Sequence, residues 1–195
     1  MNRMVSRRLL GVIDSWWGVA LTGVLVTVIL YQKWQLMHPP HIQRIAPLAI
    51  GQKIPALAIH DLVDTPVALN WSTSKMATVV YVFHPPCQWC KRNLESVRMV
   101  VDHARNYRFI GLSLHAEGLK EYVNTFKPPF PVYYASTADV TQTLKLGATP
   151  ETIVISPDGT VEKVWLGAYS GKTKQAIEAL FGVELPDLKV PVPGA

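Results

Sequence analysis

The sequence predicts an α/β fold in which helices flank a mixed β-sheet, with one N-terminal transmembrane helix ahead of it. Three observations carry that expectation. Thr78–Phe83 reads Thr-Val-Val-Tyr-Val-Phe and 109–114 reads Phe-Ile-Gly-Leu-Ser-Leu; unbroken apolar, β-branched runs of this kind mark strands buried on both faces. Apolar residues recur at helical spacing between and after these runs, so strands and helices alternate. Residues 15–37 carry a single formal charge, Lys33.

The N-terminal segment comes first. A spanning helix needs roughly 20 apolar residues. Residues 16–31 hold no charge, and Lys33 is placed to snorkel toward headgroups. Trp16, Trp17, Tyr31 and Trp34 sit near the two ends, where amphipathic rings favour the interface. Arg3, Arg7 and Arg8 precede the run, so residues 1–14 are expected in the cytoplasm and the rest outside it. A cleaved signal peptide is the alternative, but Tyr-Gln-Lys-Trp-Gln-Leu-Met-His-Pro-Pro follows the run and is a poor cleavage site. Residues 38–50, which open on His38-Pro39-Pro40-His41, form a semi-rigid linker. Two histidines without further ligands do not make a metal site.

A folded domain is expected over 51–182. Residues 56–60 and 67–69 read as a hairpin, Thr78–Phe83 as a central strand, and 90–105 as a helix with Leu94, Val97, Val100, Val101 and Ala104 on one face. Next come a strand at 109–114, a helix at 117–126, a short strand at Val132–Tyr134 and a helix at 138–146. Strands at 152–155 and Val161–Leu166 surround a Ser156-Pro157-Asp158-Gly159 turn, and a helix at 172–180 closes the domain. Residues 183–195, with Pro186, Pro191 and Pro193, are expected to form a flexible tail.

Charge excludes one class of function. The net charge is +5, but residues 1–46 hold five Lys/Arg against Asp14 alone, and the other 149 residues hold 14 against 13 acids. The basic balance belongs to the N-terminal end and not to a nucleic-acid-binding face.

Only two cysteines occur, Cys87 and Cys90. A zinc site would need more ligands, and no further Cys or H-x₃₋₅-H pair supplies them. The pair follows a buried-type strand and opens an amphipathic helix, the position a redox dithiol requires. At a helix N-terminus the first sulfur is favoured as thiolate, so Cys87 is expected to attack a partner disulfide. Cys90, one turn in, is expected to resolve the mixed disulfide. The redox-active disulfide is then the whole redox equipment, with no metal and no separate cofactor.

The stretch Val-Val-Tyr-Val-Phe-His-Pro-Pro-Cys-Gln-Trp-Cys-Lys-Arg-Asn, followed some sixty residues later by Gly147-Ala148-Thr149-Pro150-Glu151-Thr152, resembles the thioredoxin superfamily. With Gly51-Gln-Lys-Ile-Pro55 and Ser156-Pro-Asp-Gly159, it looks more narrowly like the membrane-anchored TlpA/ResA-like reductases and the cytochrome c maturation (DsbE/CcmG-like) thioredoxins. The resemblance implies a thioredoxin-like fold and a protein-disulfide reductase in the periplasm or its equivalent. It also implies a cis Thr149-Pro150 bond that leaves the Thr149 backbone to receive substrate, and a membrane electron donor of the thiol-reductant type. Trp89 would be a contact surface for the protein partner. Asn93 stands where related reductases often carry a Glu, and Glu151 is the expected replacement, taking the Cys90 proton directly or through a water.

Two other functions compete. A peroxiredoxin-like peroxidase would place Thr or Ser three residues before its reactive cysteine, where this chain has His84. A copper-binding or assembly subunit on this fold would use a longer cysteine spacing.

Overall fold

The computed structural model describes residues 3–37, 48–135 and 137–188; the expected linker and the end of the expected tail fall largely outside them. The chain divides into an N-terminal unit and a compact unit that begins at Ile45. Among the described residues the first is one helix, α1 (Arg3–Met37). Its window Trp16–Gln35 is 20 residues long and apolar enough to cross a membrane, and its side chains there are exposed. A signal sequence would pass the same test.

The second unit contains β1 (Leu57–His60), β2 (Pro66–Leu69), β3 (Thr78–Phe83), α2 (Gln88–His103), β4 (Arg108–Ser113), α3 (Leu119–Phe126), β5 (Val132–Tyr134), α4 (Ala138–Thr143), β6 (Glu151–Ile155), β7 (Val161–Leu166) and α5 (Gly171–Phe181). One seven-stranded mixed sheet runs in the order β2-β1-β5-β4-β3-β6-β7. β3, β4 and β5 are parallel, and both hairpins are antiparallel. Every residue of β3 is buried, as an unbroken apolar run in a central strand requires.

Side chains alternate across the sheet and so build two cores. Val79, Tyr81 and Phe83 of β3 pack with Cys90, Val97 and Val100 of α2, Leu119 and Tyr122 of α3, and Ile177 and Phe181 of α5. Val80 and Val82 face the other way, into a core with Ile153 and Ile155 of β6, Val140 of α4 and Leu144 just after it. The β6–β7 turn depends on Gly159, whose φ is +84° and whose missing side chain would meet the Ile54 carbonyl at 2.8 Å.

Most boundaries shift by a residue or two from expectation, and three of the shifts have a visible cause. α3 starts at Leu119, after Gly118 at φ 69°. α4 stops at Thr143, because Lys145 turns left-handed at φ 51°. The tail does not begin at 183: Val183 and Leu185 are buried in the α2 core, and the Leu185 amide donates to Glu178 Oε1 at 2.8 Å.

Candidate active site

β3 delivers the chain to His84, and the Cys87 amide donates to the His84 carbonyl at 2.9 Å, closing a turn before α2. Cys87 has extended backbone, φ −65° and ψ 113°, and is the N-cap of α2. Its sulfur accepts the Cys90 amide at 3.2 Å. An N-cap side chain normally offers an oxygen to a free amide of the first turn; here a thiol does so, and the bond favours the thiolate. Partial burial pushes the Cys87 thiol up, but hydrogen bonds involving the Cys90 and Thr149 side chains and the Cys90 and Trp89 amides outweigh it and hold the thiol below its ordinary value. Cys90 is completely buried. Burial first, and the adjacent Cys87 sulfur second, push its thiol up to about 12. The pair therefore holds one accessible sulfur that ionises readily and one buried sulfur that does not, and both are free thiols. Such a dithiol can exchange with a partner disulfide.

Thr149 and Pro150 meet the pair from the start of β6. Their peptide bond is cis. The Cys87 sulfur lies 3.6 Å from the Thr149 carbonyl. The Pro150 carbonyl accepts the Gly167 amide at 2.7 Å, which ties the turn to the end of β7. Trp89 is 44% exposed, and the Arg92 guanidinium lies 5.3 Å from the centre of its ring.

Glu151 is only 1% exposed, and its Oε2 has no hydrogen-bond partner. Burial pushes its carboxyl up to about 7. Its placement corrects one detail of the sequence reading. Glu151 pairs with Val82 in register, so its side chain leaves the sheet on the Val82 face. Cys90 packs with Tyr81 and Phe83 on the opposite face. The register therefore does not arrange direct proton transfer between them.

The face that does carry Cys90 holds a polar network that sequence reasoning missed. Asn93 is fully buried; its Nδ2 donates to the Tyr81 hydroxyl at 3.3 Å, and its Oδ1 accepts the Tyr169 amide at 2.8 Å. The Tyr169 hydroxyl reaches Thr152 Oγ1 at 3.0 Å. One available signal was parity, since Tyr81 lies on the same side of β3 as Phe83 and the helix facing it.

Beside the pair, His84 meets His115 edge to face at 4.8 Å. Burial first and His115 second hold His84 below its ordinary value, and Glu117 opposes them. A groove of about 600 Å³ opens here, with His84, Pro86, Lys91, Glu117, Glu121 and Phe126 among its walls. Among the described residues, no group of three or more His, Cys, Asp or Glu side chains is arranged to hold a metal ion.

No family model matches the chain, and no curated protein matches it. Solved structures do. The thioredoxin domain of a thiol-disulfide oxidoreductase from Bacteroides vulgatus is 20% identical, with a TM-score of 0.56 over 69% of this chain and 99% of that one. A secreted Mycobacterium tuberculosis disulfide oxidoreductase is 15% identical, with a TM-score of 0.52 over 65% and 92%. A peroxiredoxin-like protein from Aquifex aeolicus is 12% identical, with a TM-score of 0.54 over 69% and 86%. The class these likenesses define is the thioredoxin-like fold, here with a Cys-x-x-Cys pair at the start of α2 and a cis proline before β6.

Proposed function

We propose that this protein is a thiol-disulfide oxidoreductase that reduces protein disulfides outside the cytoplasm, anchored in the membrane by α1. The carrying observation is the asymmetry of the dithiol: a half-buried N-cap sulfur held below its ordinary value, over a fully buried sulfur pushed up to about 12. Cys87 attacks the partner disulfide, forming one S–S bond and releasing one partner thiolate. Cys90 then attacks Cys87, closing the Cys87–Cys90 disulfide and releasing the second thiolate. The Thr149 backbone and Pro150 dock the substrate chain, and Trp89 gives it an apolar platform.

Glu151 acts across the sheet in this reading. Its carboxyl titrates near neutrality, and the negative charge gained there disfavours a second buried anion in the same domain, the Cys90 thiolate. Residues 1–14 lie in the cytoplasm, 15–37 span the bilayer, 38–50 form the linker, and the catalytic domain is periplasmic or its equivalent. The electron donor is a membrane thiol-reductant, and cytochrome c maturation is the pathway the resemblance favours.

The direct test is reduction of a model protein disulfide by the pre-reduced protein, with hydrogen peroxide offered in parallel. The proposal expects one partner disulfide reduced per Cys87–Cys90 pair and slow peroxide consumption. Fast peroxide turnover with no protein-disulfide reduction selects the peroxidase reading.

A further inference from the structure

Resolution of the mixed disulfide requires a buried thiol to react as a thiolate, and among the described residues no buried carboxylate lies on its side of the sheet. Glu151 is the one buried carboxylate among the described residues, and it leaves the sheet on the opposite face. What the Cys90 side offers is a tyrosine. Tyr81 is 1% exposed and belongs to the same core cluster as Cys90. Cys90 and Asn93 are three residues apart in α2, so their side chains stand one above the other. Asn93 Nδ2 donates to the Tyr81 oxygen, and an amide N–H can only donate, so this bond leaves the Tyr81 proton uncommitted. Asn93 is itself held by the Tyr169 amide, whose hydroxyl meets Thr152.

We propose that Tyr81 donates its O–H to the Cys90 sulfur as the thiolate forms, with Asn93 fixing the ring oxygen from behind. The inference rests on the dithiol mechanism above and names the group that assists its second half. In that step the Cys90–Cys87 bond forms and the bond from Cys87 to the partner breaks. The electron pair leaves with the partner sulfur, and the proton lost by Cys90 is balanced, through solvent, by the one that sulfur takes up. Tyr81 stays protonated throughout: burial, with the Cys90 charge as the next cause, holds its hydroxyl well above the ordinary value. In the resting dithiol the Cys87 sulfur also raises Cys90. Once Cys87 is bound in a mixed disulfide its charge is gone, and burial is the main cost left for a donor to offset. The other buried or half-buried polar groups on this face are Cys87 at the N-cap of α2, Asn93 and Ser96 on α2, Tyr122 on α3, Thr152 on β6 and Tyr169 before α5. None of these is a carboxylate or a cation, and the one cation that bears on them, Arg98 of α2, acts on Tyr122.

The test uses the reduced full-length protein with excess 5,5′-dithiobis(2-nitrobenzoate), whose two colour releases report Cys87 attack and then Cys90 resolution. In Tyr81→Phe the first release keeps the parent rate. The second slows by roughly ten- to a hundredfold near neutral pH, as loss of a hydrogen bond to a charged group implies. The deficit shrinks as the pH is raised and solution conditions supply the thiolate. An unchanged second release overturns the inference, and so does a slowing equal at every pH, which marks lost packing alone. Absence of both releases in the parent overturns the dithiol mechanism instead. Because Tyr81→Phe leaves the Asn93 amide without its partner, the parent supplies an independent reading. The ring-carbon resonance of Tyr81 in ¹³C-tyrosine protein should move as Cys90 ionises at high pH in the reduced protein, and should not follow that course in the oxidised protein, where no Cys90 thiolate forms. A pH course identical in both redox states overturns the inference as well.

Discussion

The Cys87 sulfur and the Cys90 backbone amide are joined at 3.2 Å, so the accessible thiol of the pair is also the N-cap of α2. Reactivity and helix stability are thereby coupled in one side chain. Cys87→Ser keeps a cap and should unfold near the parent midpoint, whereas Cys87→Ala should cost about 1 kcal/mol. Urea unfolding of the two variants measures the difference. In the parent, iodoacetamide should label Cys87 well before Cys90, and the labelling should begin below the pH at which an ordinary cysteine reacts.

Glu151 gives the protein a stability that declines toward neutral pH. Its carboxyl titrates near 4.5 when unfolded and is pushed up to about 7 by burial when folded. Between those values the folded state holds the extra proton, so stability falls as pH rises through the window and stays low above it. The difference is on the order of 3 kcal/mol. Glu151→Gln removes the titration: its melting temperature should stay nearly flat from about pH 5 to 8, where the parent's drops. The variant should also lose an inflection near neutrality in the pH profile of disulfide reduction, while Cys87 attack survives. A parent melting temperature independent of pH in this window would remove Glu151 from the account.

Gly111 lies in β4 directly beside Tyr81 in register. A Cβ there would stand 2.6 Å from the Phe130 ring and 3.2 Å from that of Phe83. Gly111→Ala should therefore overpack the core behind the site and cost about 1–3 kcal/mol in chemical denaturation. Restoring space with Phe130→Leu should recover part of it.

Asn93 and Glu151 show where sequence reading stopped. The strand Thr78–Phe83 and the helix behind the cysteines were legible because their apolar periodicities are local and complete, and the Cys-x-x-Cys pair was legible from its place between them. Asn93 read as a missing acid. Its role as a tie depends on Tyr81, twelve residues earlier, and Tyr169, 76 residues later, which no local pattern connects. Glu151 followed a proline that was expected beside the cysteines, but the face it takes is set by its register against Val82. Val183 and Leu185 lie among polar residues and a proline, so their burial depends on a core assembled from distant strands and helices.

In the proposed topology, Arg3, Arg7 and Arg8 ahead of the apolar window keep the N-terminus inside. Alkaline phosphatase fused after Ala195 should be active and should fractionate with membranes. Activity recovered only with a cytoplasmic reporter would reverse the orientation and place the dithiol in a reducing compartment.

The central claim is that Cys87 attacks and Cys90 resolves, and partner trapping in the two serine variants tests it most directly. Cys90→Ser should accumulate mixed disulfides through Cys87, visible on non-reducing gels and mapped by mass spectrometry, because no thiol remains to release the partner. Cys87→Ser should trap almost nothing, since the remaining thiol is buried. Equal trapping by both variants, or adducts mapped to Cys90, would contradict the account.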